Sequence, residues 1–142
     1  MFTNPTAQEI ARVLRAAHTI AIIGLSADQT RPSYRVAQAM QRFGYRIVPV
    51  NPAGGLILGE QAVPSLAELS EVLGAGTRVD LVDVFRRSEH VAAIVADCIR
   101  LKMPALWLQE GVCDEVAATR AVSAGIFTVM DRCIYKERAA MG

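Results

Sequence analysis

The stretch TIAIIGLS at residues 19–26 decides the fold: five residues, Thr19 to Ile23, with no polar alternation, then Gly24, then a serine two positions on. An apolar run without a period of two is the mark of a strand covered on both faces, as in a parallel sheet. Four further runs repeat the design, each apolar and each ending in a polar signature. They are RIVPVNP at 46–52, DLVDVFRR at 80–87, ALWLQEG at 105–111 and FTVMDRC at 127–133. If all five are parallel strands, their polar ends share one edge of one sheet. In open α/β sheets that edge carries the ligand, beside the point where strand order reverses.

Helical patterns fill the intervals. Thr6 and Glu9 have capping-box spacing ahead of Ile10, Val13, Leu14 and Ala17, which predicts an amphipathic helix before the first strand. Residues 33–44 carry an apolar stripe of Val36, Ala37, Met40 and Phe43 closed by Gly44. Ser65 with Glu68 opens a brief helix, Ser88 is the expected N-cap of the segment 89–103, and Asp114 that of 115–125. Residues 51–63 read as a loop with a short extended piece, and 134–142 as a short terminal helix. Pro49 cannot donate to a ladder, so pairing is expected to end there.

The class is therefore α/β, a Rossmann-like, doubly wound, five-stranded parallel sheet with helices on both faces, expected in strand order 3-2-1-4-5. The flavodoxin-like order 2-1-3-4-5 is the alternative. Either order puts Gly24 at the switch point. No repeat, low-complexity tract or linker divides residues 1–142, so a single domain is expected.

Composition bounds the function. Hydrophobic residues make up 52% of the 142-residue chain and net charge is +1, which gives no basic field for nucleic acid. Anion recognition must then rest on a few placed arginines and backbone N–H groups. No segment reaches the ~18 apolar residues of a membrane span, and the start, MFTNPTAQEIARVL, has no signal-peptide core; a cytoplasmic location is expected. Cys98, Cys113 and Cys133 lack CxxC spacing, and His18 and His90 stand alone, so neither a disulfide framework nor a metal site is expected.

Gly24 lets backbone approach a pyrophosphate, and Ser26, Arg31 and Ser33 add donors near a helix start. The dinucleotide fingerprint G-x-G-x-x-G is missing, because LSADQTRPS follows Gly24. Where NAD sites place an acid at the end of the second strand, this chain has Asn51-Pro52. Arg86 and Arg87 supply cations for a ribose phosphate instead. Trp107 and Cys98 sit among apolar neighbours and read as core. No Ser-His-Asp grouping, paired carboxylates or Walker lysine can be assembled, which leans against an enzyme.

Taken in order, Gly24-Leu25-Ser26, Arg31-Pro32-Ser33-Tyr34, Gly44-Tyr45-Arg46, Pro49-Val50-Asn51-Pro52, Leu58-Gly59, Phe85-Arg86-Arg87, Trp107-Leu108-Gln109-x-Gly111-Val112 and Met130-Asp131-Arg132-Cys133 resemble the stand-alone CoA-binding proteins of the YccU type. That family is related to the nucleotide-binding domain of succinyl-CoA ligase alpha subunits. The resemblance implies a Rossmann-like domain that binds coenzyme A or an acyl-CoA as a carrier, sensor or regulatory module, with a protein partner or homo-oligomer open. It gives the pyrophosphate to Gly24, Ser26, Arg31, Ser33 and Tyr34, and the adenosine side to Val50, Asn51 and Pro52, with Phe85 and Arg86 across the crevice. It places Gln109 and Gly111 beside the pantetheine arm and Cys133 near the thiol end. Arg86 is the first candidate for the 3′-phosphate, with Arg46 and Arg87 behind it. Glu110 stands where relatives are often apolar, and a carboxylate there opposes a polyanion unless it points away. The alternatives are a thiol-redox protein forming a CoA mixed disulfide at Cys133, an NADP-dependent oxidoreductase and a ligase-like enzyme.

Overall fold

The computed structural model describes residues 1–141. Helix α1 spans Ala7–Ala16, β1 Thr19–Ile23, α2 Pro32–Arg42 and β2 Arg46–Val50. A two-residue hairpin follows, β3 Leu56–Ile57 and β4 Glu60–Gln61, then α3 Ser70–Leu73 and β5 Leu81–Val84. The remaining elements are α4 Val91–Arg100, β6 Ala105–Leu108, α5 Glu115–Ser123, β7 Phe127–Val129 and α6 Ile134–Ala140. Gly142, the last residue of the expected terminal helix, lies outside the described residues.

The main sheet is parallel throughout, with β2 and β7 at its edges and order β2-β1-β5-β6-β7. Counted as the five strands of the sequence reading, that order is 2-1-3-4-5, so the expected 3-2-1-4-5 is corrected. Pro49 supplies a physical reason. It stands opposite Ile22 of β1, yet its carbonyl accepts from Val63 N at 3.0 Å on the outer side of β2. The N and C=O of a strand residue point the same way, so the missing N–H also faces outward, where no long strand needs it. In order 3-2-1-4-5 a full strand would occupy that side and lose a bond. Instead only Val63 approaches, its carbonyl accepting from Asn51 N at 2.8 Å. Pairing does not stop at Pro49, because Val50 still pairs with Ile23.

Every residue of β1, β5 and β6 is buried, Asp83 of β5 included, as strands covered on both faces require. On one face Ile20, Ile22, Ile47, Leu81 and Trp107 pack against Leu14 of α1, Met40 of α2 and Ile134 of α6. On the other, Ala21, Val48, Val82, Val84 and Leu106 meet Leu73 of α3, Val95 of α4 and Ala121 of α5. The sheet is thus doubly wound. The chain leaves β1 for β2 on one side and returns past it to β5 on the other, so order reverses between the ends of β1 and β5.

Local caps explain several boundaries. Thr6 and Glu9 form the reciprocal capping box, and Asp114 accepts from Ala117 N at 3.0 Å. Ser88 is not the N-cap of α4; a turn of 3₁₀ helix covers residues 88–90 first. Ser65 likewise makes no backbone cap. Its hydroxyl donates to Glu68, and the segment splits into a 3₁₀ turn and the four-residue α3.

Candidate functional site

The C-terminal edge carries the candidate site, and its floor is the switch point. Gly24 has φ +82°, and its N–H donates to Val50 O at 3.0 Å. A Cβ built on Gly24 would lie 2.3 Å from Phe85 O and 3.0 Å from Arg86 Cδ, so β1 and β5 meet closely there. Glycine is required twice over, by backbone conformation and by space.

Beyond Gly24 the loop is held by its own short side chains. Buried Ser33 accepts from Ser26 N at 3.0 Å, and Ser26 Oγ accepts from Asp28 N at 3.0 Å. Asp28 accepts from both Thr30 Oγ1 and Thr30 N, and those bonds hold its carboxyl below the usual range. Arg31 reaches Asp28 only at 3.9 Å and stays exposed. The loop delivers the chain to α2 with Pro32 in its first turn, which presents the positive end of the helix dipole to the edge. A cavity of about 400 Å³ lies here, lined by Gly24, Ser26, Arg31, Pro32, Ser33 and Phe85.

A second cavity of about 420 Å³ shares Pro32 and Phe85 with the first and continues along the edge past Arg86, Gln109 and Gly111 to Cys133. Together they form one trough across the ends of β1, β5 and β6. Gln109 is 4% exposed; its Oε1 accepts from Ile134 N at 3.1 Å and so caps α6, while its amide nitrogen has no acceptor among the described residues. Asp131 accepts from Gly111 N at 2.7 Å, the structural role that its strand-end position suggests. Ser88 fastens the same corner, accepting from Cys113 N at 2.9 Å and donating to Gly111 O at 3.4 Å.

Charge along the trough is positive where it is unpaired. Arg86 has no carboxylate partner among the described residues, whereas Arg87 lies 3.6 Å from Glu89. Glu110, which also lines the trough, is bonded to Lys136 Nζ at 3.0 Å, and its carboxylate holds the Lys136 ammonium above the ordinary lysine range. The objection that Glu110 opposes a polyanion is thereby weakened. Burial pushes the Cys98 thiol up to about 12, as expected of a core cysteine. Exposed Cys113 is raised by partial burial and by Asp131.

Of the residues singled out in the sequence, Gly24, Ser26, Arg31, Ser33, Phe85, Arg86, Gln109, Gly111 and Cys133 line the trough. Tyr34, Val50, Asn51 and Pro52 do not. Tyr34, in the first turn of α2, packs against the core on that face, and Val50 is buried in the opposite layer. Asn51 holds the loop, its Nδ2 donating to Leu25 O at 3.0 Å. Arg46 begins β2 on the far edge, where Nη2 donates to Val72 O, so it cannot serve this trough. Trough residues not singled out as ligand contacts are Pro32, Val36, Glu110 and Val112. Pro32 and Val36 have i, i+4 spacing at the start of α2, a signal available in the sequence but assigned to the core stripe.

The CoA binding domain family matches residues 18–139. The chain belongs to this CoA-binding domain family. YneT, an uncharacterized protein of Bacillus subtilis, is similar to it, 37% identical over 131 residues that cover 92% of this chain and 93% of YneT. Among solved structures, cell-free ID.343 from Thermus thermophilus superposes with TM-score 0.88 at 33% identity, covering 97% of this chain and all of that one. A hypothetical protein from Pyrococcus horikoshii OT3 gives TM-score 0.86 at 26% identity, covering 100% of this chain and 99% of its own. The family match takes in all five strands and both halves of the trough of this CoA-binding domain.

Proposed function

We propose that this protein binds coenzyme A or an acyl-CoA along the C-terminal edge of its sheet, as a non-catalytic carrier, sensor or regulatory module in the cytoplasm. The observation that carries the reading is the continuity of the trough from Gly24 to Cys133, the two cavities joining at Pro32 and Phe85. A CoA molecule is long, with a phosphorylated nucleotide at one end and a thiol at the other, and the trough has matching ends. The pyrophosphate belongs at Gly24, Arg31 and the first turn of α2, where backbone can approach and the dipole favours anions. Arg86, which has no carboxylate partner among the described residues and lies across Gly24, is the cation for the 3′-phosphate. The pantetheine arm runs past Phe85, Gln109 and Gly111, and the thiol arrives at Cys133.

Thermal unfolding with and without ligand tests this directly. CoA at a hundredfold excess over its dissociation constant stabilises the native state by about 2.7 kcal/mol, whereas NAD at equal concentration leaves the midpoint unmoved. Equal shifts with the two nucleotides, or none with CoA, overturn the reading.

A second reading is favoured by the position of Cys133, which lines the trough and also the adjoining recess formed with Glu110 and Lys136. In it, the Cys133 thiol attacks CoA disulfide, forms a protein–CoA mixed disulfide and releases one CoA as thiol. Intact-protein mass spectrometry after incubation with CoA disulfide is expected to show a single adduct that disappears in Cys133→Ser; an adduct that survives assigns the chemistry to another cysteine.

A further inference from the structure

A cavity larger than either half of the trough lies at the opposite edge of the sheet. It measures about 490 Å³ and sits where the chain enters β5 and β6, between α3 and the end of α4. That volume falls in the ordinary range for small-molecule sites, roughly 300–1,000 Å³. Its walls include Leu69, Leu73, Leu101 and Met103, and the charged residues lining it are Arg78 and Lys102. No acidic residue contributes to the wall. Neither cation has a carboxylate within 4.0 Å among the described residues, although ion pairs are formed elsewhere on this surface.

The placement of Lys102 is unusual in itself. It follows α4 with φ +58°, a left-handed position that ordinarily selects glycine, while Met103 N closes the helix end on Cys98 O at 2.9 Å. The helix dipole favours a cation at this end of α4, and the same side chain also lines the cavity. Arg78, on the facing loop, brings a planar guanidinium that suits a carboxylate through paired hydrogen bonds. Apolar walls with two cations at the rim, neither paired among the described residues, complement a molecule with an anionic head and an aliphatic body.

We propose that this cavity is a second binding site, separate from the trough, for a small aliphatic carboxylate whose head meets Arg78 and Lys102 and whose chain lies against Leu69, Leu73 and Met103. The site does not depend on what the trough binds, because the two occupy opposite ends of the strands.

Amide chemical shifts of the 15N-labelled full chain test it, with octanoate as probe, octanol as the uncharged control and inorganic phosphate as the anion without an aliphatic chain. Octanoate is expected to shift the amides of Leu73, Thr77, Lys102 and Met103 saturably while those of Gly24 and Phe85 stay in place. The double variant Arg78→Ala, Lys102→Ala, both exposed positions, should retain the dispersed spectrum and bind octanoate about 10-fold to 100-fold more weakly, the loss of a charge-assisted bond. Octanol binding as well as octanoate shows that the cations are not read, and phosphate producing the same shifts shows that the apolar wall is not used. Either result overturns the proposal, as do shifts that never saturate or that centre on Gly24.

Discussion

Gly24 and Phe85, the residues that follow β1 and β5, meet so closely that there is no room for a methyl group between them: a Cβ on Gly24 would stand 2.3 Å from Phe85 O. The contact is the switch point of the sheet in atomic form, since β1 and β5 are the neighbours between which strand order reverses. Gly24→Ala must accept φ +82° and also push β5 away. The left-handed backbone and the overpacking together cost roughly 2–5 kcal/mol. Urea unfolding is expected to show that loss, and CoA binding should fall with it because the trough floor moves. An unchanged midpoint would show that the edge relaxes freely.

Arg86 lies on that contact, its Cδ 3.0 Å from where the Gly24 Cβ would be, and it has no carboxylate partner among the described residues. Arg86→Ala is expected to weaken CoA by about 10-fold to 100-fold, the worth of a charge-assisted hydrogen bond, and to leave dephospho-CoA nearly unchanged. Calorimetric titration with both ligands measures the difference. Equal losses for the two would assign Arg86 to some other part of the nucleotide.

Much of this edge was legible in the sequence because the physical signals there are local. An apolar run without alternation means a strand covered on both faces, and the polar residue that ends it must lie at the edge whatever the strand order. That is why Gly24, Phe85, Arg86, Gln109 and Cys133 could be placed together before any topology was known. Strand order was not legible in the same way, since both doubly wound orders satisfy the same runs. Pro49 held the clue: its carbonyl faces Val63, so its missing donor faces outward, but a sequence does not say which way a peptide points. Side-chain direction hid the rest. Asn51 stands at the expected strand end yet binds Leu25 O, and Ser88, read as a cap, ties Cys113 to Gly111.

Asp83 was unreadable for a related reason. It sits in the middle of β5 between Ile22 and Trp107, fully buried, and among the described residues neither carboxyl oxygen has a well-formed hydrogen bond, the adjoining Val84 N–H being the donor that approaches. Burial raises its carboxyl well above the ordinary aspartate range, so the native state keeps a proton that the unfolded chain releases. Stability is therefore complete below the unfolded value near pH 4 and falls as pH rises towards the folded value, by up to about 1.4 kcal/mol per pH unit. Asp83→Asn is expected to remove that slope between pH 5 and pH 7. Parallel urea series for the two proteins check it, and equal slopes would show that Asp83 is solvated.

Gln109 has two ends with different tasks. Replacing it with leucine removes the side-chain acceptor of the buried Ile134 N–H and leaves that donor without a partner among the described residues, at about 1–3 kcal/mol. Gln109→Leu is expected to lower the unfolding midpoint accordingly and to raise hydrogen exchange at the first turn of α6. A normal midpoint with slow exchange would mean that water takes over the cap.

Cys98 and Cys113 should separate cleanly under alkylation at pH 8. Cys98 is buried with its thiol pushed up to about 12, so it stays neutral and shielded, and iodoacetamide is expected to reach it only after unfolding. Cys113 is exposed and reacts first, but Asp131 disfavours its thiolate. Asp131→Asn keeps an oxygen for Gly111 N and removes the charge, so Cys113 should be alkylated a few-fold faster in that variant while Cys98 remains untouched. Peptide mass spectrometry over a time course reads both rates. If Cys113 reacts equally fast with and without the carboxylate, Asp131 does not govern that thiol, and its bond to Gly111 N is its whole contribution to this corner of the trough.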